Sequence, residues 1–105
     1  MIETVCDKDF EQKVIGAVGP VVVDIYGINC ISCRKVDAVV ERLAPKYDGK
    51  CKFYRLNVEE SPRTASRYHV MSLPTLLFFK AGEISKAAVG AVSDAILISG
   101  IEELL

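Results

Sequence analysis

Two cysteines three positions apart, in Cys30-Ile31-Ser32-Cys33, are the residues of this chain whose type and spacing best suit chemistry. At the opening of a helix their sulfurs share one face and are close enough to bridge. Cys30 then stands among unpaired backbone N–H groups and roughly half a positive charge, which favours thiolate over thiol. The thiolate is the nucleophile, so Cys30 is expected to attack and Cys33, one turn deeper, to resolve the mixed disulfide. The same spacing is also half of a zinc site, and taken alone the motif leaves both chemistries open.

The surrounding elements favour the redox reading. Val21-Val22-Val23-Asp24-Ile25-Tyr26 is a short β-branched run, apolar on both faces, with one acid set inside it. Gly27 ends that strand, and a helix follows from about Cys30. Val36, Val39, Val40 and Leu43 form its apolar stripe, with Arg34, Lys35, Asp37, Glu41 and Arg42 on the wet side, and Pro45 stops it near Ala44. A C-x-x-C beside a βαβ pattern points to dithiol–disulfide exchange.

Before these, an Asp in Cys6-Asp7-Lys8-Asp9 is expected to cap a helix from Phe10, with Phe10, Val14 and Val18 on one face, ending at Gly19-Pro20. After them, 51–58 alternates as a strand, and Ser61-Pro62 opens a short helix as cap and first residue. Leu76–Lys80 and Ile84–Val89 form a hairpin around Ala81-Gly82-Glu83, and Ser93-Asp94 caps an apolar helix over 95–105. Gly100 within that helix should cost roughly 1 kcal/mol against Ala. The order β-α-β-α-β-α-β-β-α implies an α/β fold, a central mixed sheet with helices on both faces, as one domain over 1–105.

Composition narrows the setting. The 105 residues are 50% hydrophobic and 26% charged, with seven Gly and four Pro, which excludes disordered and collagen-like readings. A net charge of −1 leaves no footprint for nucleic acid or an anionic membrane. There is no basic-then-apolar leader and no run of about 20 apolar residues, so a reducing cytoplasm is the expected compartment. Four cysteines are present and no tryptophan.

Several stretches together resemble the thioredoxin family over essentially the full length: Val22–Tyr26 with its aspartate, Cys30-Ile31-Ser32-Cys33-Arg34, Leu56-Asn57-Val58-Glu59 with Ser61-Pro62, and above all Val70–Gly82 containing Leu73-Pro74-Thr75. The resemblance implies a thioredoxin fold and a thiol–disulfide oxidoreductase with no bound cofactor or metal. It implies Cys30 as nucleophile, Cys33 as resolving thiol, and Asp24 as the buried acid exchanging a proton with Cys33. Arg55 would be the charge partner of Asp24, and Pro74 a cis-proline shaping the substrate groove. Asn29, Ile31, Ser32, Leu73, Thr75 and Gly90 would contact substrate, with an extended segment pairing at Leu73 and fitting beside Gly90. The implied partners are disulfide-containing proteins and a thioredoxin reductase or another thiol donor.

The departures fall at the site. Asn29 replaces the family's usual tryptophan, Ile31-Ser32 its Gly-Pro, and Ala38 a helix proline. Asn29 removes a docking surface for a standard reductase. The Ser32 N–H and hydroxyl can stabilise reduced Cys30, which would raise the potential above the ~−270 mV of thioredoxin. Two rival classes stand beside the oxidoreductase: a metal or iron–sulfur module sharing Cys30 and Cys33 with a second chain, and a non-catalytic adaptor using the groove at Pro74. Cys6 and Cys51 are expected to be packing residues without a bridge, His69 a surface helix end, and Arg63 and Arg67 a solvated face. A monomer is expected, with a weak dimer through Ile96 and Ile98 as the alternative.

Overall fold

A computed structural model describes residues 2–90 and 92–105. Among these residues the chain runs β1 (Glu3–Val5), β2 (Pro20–Tyr26), α1 (Ile31–Leu43), β3 (Lys52–Asn57), α2 (Pro62–Arg67), β4 (Thr75–Lys80), β5 (Glu83–Val89) and α3 (Asp94–Glu102). A wide helical turn at Glu11–Ile15 follows β1, and a tight one at Ala44–Tyr47 follows α1. The strands lie in the order β1-β3-β2-β4-β5. β3 is parallel to both β1 and β2, while β4 is antiparallel to β2 and to β5.

The apolar run of β2 is central, as its two apolar faces require, and it divides the interior in two. On one side Val22 joins Val36, Val40 and Leu43 of α1, Leu76 and Phe78 of β4, and Leu97 and Ile101 of α3. On the other, Val21, Val23 and Ile25 meet Phe10, Val14, Leu56, Leu77 and Phe79. The aromatic part of this second layer is edge-on, with Phe79 against both Phe10 and Tyr68. The mixed α/β sheet with cover on both faces is the expected architecture. Cys51 is buried and Cys6 half-buried; they are free, at opposite ends of neighbouring strands.

Several local readings change. The first helix is only the turn at Glu11–Ile15, closed by Gly16 donating to the Glu11 and Val14 carbonyls. The chain then leaves the helical path, so Val18 is off the Phe10–Val14 face and 96% exposed. No aspartate caps that turn. Asp9 instead accepts from the Cys6 amide, and Asp7 crosses to α2, accepting from the Arg63 and Thr64 amides and the Thr64 hydroxyl. Asp7 therefore supplies the cap expected of Ser61, whose buried side chain makes no capping bond. Asp37, read as a wet-side residue, is partly buried and turned toward the sheet, where Arg55 binds it.

The last concerns Gly100. A Cβ there would lie 2.5–3.0 Å from three carbons of the buried Phe78 ring. The glycine lets α3 approach the sheet, so its propensity cost offsets a steric one. Gly100→Ala is expected to destabilise by about 1–3 kcal/mol in urea titrations, where helix propensity alone predicts a gain of about 1 kcal/mol.

Candidate active site

The loop leaving β2 returns at once into α1, whose N-cap is Cys30 in extended conformation (φ −116°, ψ 102°). Its sulfur takes the place of a capping oxygen, accepting from the Cys33 amide at 3.2 Å. The Ser32 hydroxyl lies 3.6 Å from the same sulfur. Cys30 and Cys33 form a disulfide with Cα atoms 5.3 Å apart. Exposure separates the two: Cys30 is partly open and Cys33 is 1% exposed. An incoming group can therefore reach Cys30 first.

Leu73-Pro74 is a cis peptide bond, as the resemblance implied. Its loop is packed against the exit of β2 through Gly27. A Cβ on Gly27 would come within 2.8 Å of Leu73 Cδ1, so this glycine, read in sequence only as a strand end, lets the two loops touch. The Gly90 amide donates to the Pro74 carbonyl at 2.9 Å, and the space beside its Cα is open. Asn29, Ile31 and Ser32 are exposed and Leu73 is partly so. Thr75 is buried, and its hydroxyl donates to the Ser72 carbonyl at 2.7 Å. The exposed apolar residues the sequence reading passed over are Ile28 and Met71, in the loops ahead of Cys30 and Pro74. A cavity of about 800 Å³ lies at the other end of the sheet near Pro20, Pro45 and Cys51.

Within β2, Asp24 is fully buried. Arg55 is its register neighbour on β3, so both side chains leave the same face of the sheet. The expected direct pairing does not form. Arg55 Nη2 donates to Asp37 Oδ2 at 2.7 Å, and its guanidinium stacks 4.2 Å from the centre of the Tyr26 ring. Both Asp24 oxygens, the other Asp37 oxygen and Arg55 Nε are buried without a hydrogen-bond partner among the described residues. Burial first, and then the Asp37 carboxyl, push Asp24 up to about 9, against the opposing pull of Arg55. Burial likewise pushes the Cys51 thiol up to about 12, which suits a packing residue and not a nucleophile. Among the described residues, no three His, Cys, Asp or Glu side chains are grouped to hold a metal ion.

With this geometry in view, the family model described as Thioredoxin matches residues 1–103. The chain is 41% identical over 101 residues to "Thioredoxin" of Synechocystis sp., covering 96% of this chain and 94% of that protein. It is 40% identical over 104 residues to "Thioredoxin M-type, chloroplastic" of Pisum sativum, covering 99% of this chain and 60% of the relative. A similar match, 41% over 104 residues, joins it to "Thioredoxin M2, chloroplastic" of Arabidopsis thaliana, of whose length it spans 56%. The chain belongs to the thioredoxin family.

An acid whose native pKa is raised holds its proton more tightly folded than unfolded. Stability associated with Asp24 therefore falls as pH rises from its ordinary 3.8 toward about 9. In urea unfolding of the oxidised protein, Asp24→Asn should remove that decline and gain about 2 kcal/mol or more at pH 8. Equal pH slopes in the two proteins would contradict the burial argument.

Proposed function

We propose that this chain is a thiol–disulfide oxidoreductase that reduces or exchanges protein disulfides through Cys30 and Cys33. The observation that carries the reading is the disulfide across the start of α1, one sulfur partly open and N-capping, the other buried. In the reducing direction the Cys30 thiolate attacks a substrate disulfide. One substrate sulfur leaves with the electron pair, and a Cys30–substrate mixed disulfide forms. The Cys33 thiol passes its proton to Asp24 in its carboxylate form and attacks Cys30. The Cys30–Cys33 bond closes and the second substrate thiolate departs. A thioredoxin reductase or another thiol donor then supplies two electrons to reopen the bridge, and no bound cofactor is needed.

Exposed Asn29, Ile31 and Ser32, with Leu73 at the cis-proline loop, are the surface on which a substrate would lie, and the open space at Gly90 gives room for an extended segment. Pro74, without an N–H, keeps the loop backbone from competing for that segment. Residues 1–105 would act as one domain, as a monomer. Ile96 and Ile98, 41% and 37% exposed, are the patch through which a weak dimer would form instead. No helix among the described residues is long and apolar enough to cross a membrane. A cytoplasmic setting is our reading of the reactive dithiol, although the named relatives include chloroplastic and cyanobacterial proteins.

The Cys33→Ser variant should accumulate substrate proteins as mixed disulfides on Cys30 that dithiothreitol releases. A variant that captures nothing and a wild-type protein that fails to reduce insulin disulfides would contradict the proposal. Because the Ser32 hydroxyl and the Cys33 amide both face the Cys30 sulfur, the reduction potential measured against glutathione should lie above ~−270 mV. A value at or below that figure would contradict this stabilisation of the reduced form.

A further inference from the structure

The oxidoreductase reading uses Asp24 but leaves Asp37 unassigned, and the two acids share one buried cluster with a single cation. Asp37 is four residues beyond Cys33 in α1, so it lies on the helix face that carries the resolving sulfur. Arg55 rises from β3 beside Asp24, its guanidinium carbon over the Tyr26 ring, and commits its guanidinium to Asp37 at 2.7 Å. The Asp37 and Arg55 side chains are only 21% and 28% exposed, so the pair is shielded from water on most sides. Among the described residues, Asp37 and Arg55 are the charged groups that act on Asp24. Its β4 register neighbour is Leu76, its same-face neighbours along β2 are Val22 and Tyr26, and α1 adds Val36 and Val40 to that layer.

Two carboxylates and one guanidinium would leave this pocket with an uncompensated negative charge, and both Asp24 oxygens without a partner. One proton removes the excess. Asp37 has the ion pair, so the proton falls to Asp24.

We propose that Asp37 is a positioning residue for proton transfer at Cys33: by holding Arg55 it keeps the proton of the cluster on Asp24. This rests on the oxidoreductase reading and adds a direction to it. A protonated Asp24 is ready for the reductive half. When a donor thiolate attacks Cys30, the Cys30–Cys33 bond breaks, Cys33 leaves with the electron pair, and Asp24 delivers its proton to that sulfur. The opposite half needs the Asp24 carboxylate to take the Cys33 proton, so resolution of mixed disulfides should accelerate as pH rises toward 9. The upward displacement of Asp24 by burial and by Asp37 is in accord with this assignment.

The test follows the Asp24 carboxyl by ¹³C NMR against pH in the oxidised protein, and so requires no turnover. In Asp37→Asn, Arg55 is released toward Asp24, and the Asp24 midpoint should drop by at least about one pH unit, a tenfold change in proton affinity. Asp37→Glu, which can still hold Arg55, should stay within half a unit of wild type. Asp37→Ser repeats the test should the amide variant fold poorly. In single-turnover release of a mixed disulfide, the rise in rate should move to lower pH in Asp37→Asn by the same amount as the titration. An Asp24 midpoint unchanged in Asp37→Asn, or lowered equally in Asp37→Glu, overturns the proposal. Failure of the oxidoreductase reading itself would show separately, as wild-type protein unable to reduce a disulfide while Asp24 still titrates as described.

Discussion

The amide of Cys33 points at the sulfur of Cys30 from 3.2 Å, where most helices would present a serine or aspartate oxygen. That contact joins local folding to reactivity. A helix must begin at Ile31 because the loop from β2 is short and the apolar stripe of α1 has to land on the sheet. Starting there leaves unpaired amides that a sulfur can satisfy, and a sulfur so placed is stabilised as an anion when the bridge opens. Cys33 is one turn in and buried by the same constraint, so which sulfur is open and which is enclosed follows from where the helix starts.

The position of that start depends in turn on β2. Its run of β-branched residues is covered on both faces and paired on both edges, so its C-terminal end is held firmly. Gly27 then lets the Leu73-Pro74 loop come against it, which brings the two halves of the site together across the sheet. The strand that gives rigidity also carries Asp24 into the interior. An acid there costs stability near neutral pH, and Asp37 and Arg55 are the charges that act on it. The strand that holds the site rigid is thus also the one that carries its buried acid.

Much of this was readable from residue types. A β-branched strand, a glycine, and C-x-x-C opening an amphipathic helix leave few alternatives, and the motif around Leu73-Pro74 indicated the second loop. What was hidden depended on contacts between distant segments. Asp37 has the composition of a surface helix residue, yet its spacing from Cys33 was the available sign that it faces inward; only the position of Arg55 shows what it binds. Asp7 capping α2 across 56 or 57 residues has no local signature, so Ser61 looked like the cap. Val18 kept the helical period on paper, but the turn had already closed at Gly16. Gly100 looked like a defect because propensity does not register the Phe78 ring against it.

The central claim is that the helix start makes Cys30 the reactive sulfur, and the rate of its alkylation against pH tests that most directly. In reduced protein treated with iodoacetamide, Cys30 should be modified first, with a midpoint below the ordinary thiol value of about 8.5, while Cys33 and Cys51 stay unlabelled. A midpoint at or above that value, or faster labelling of Cys33 than of Cys30, would contradict the account.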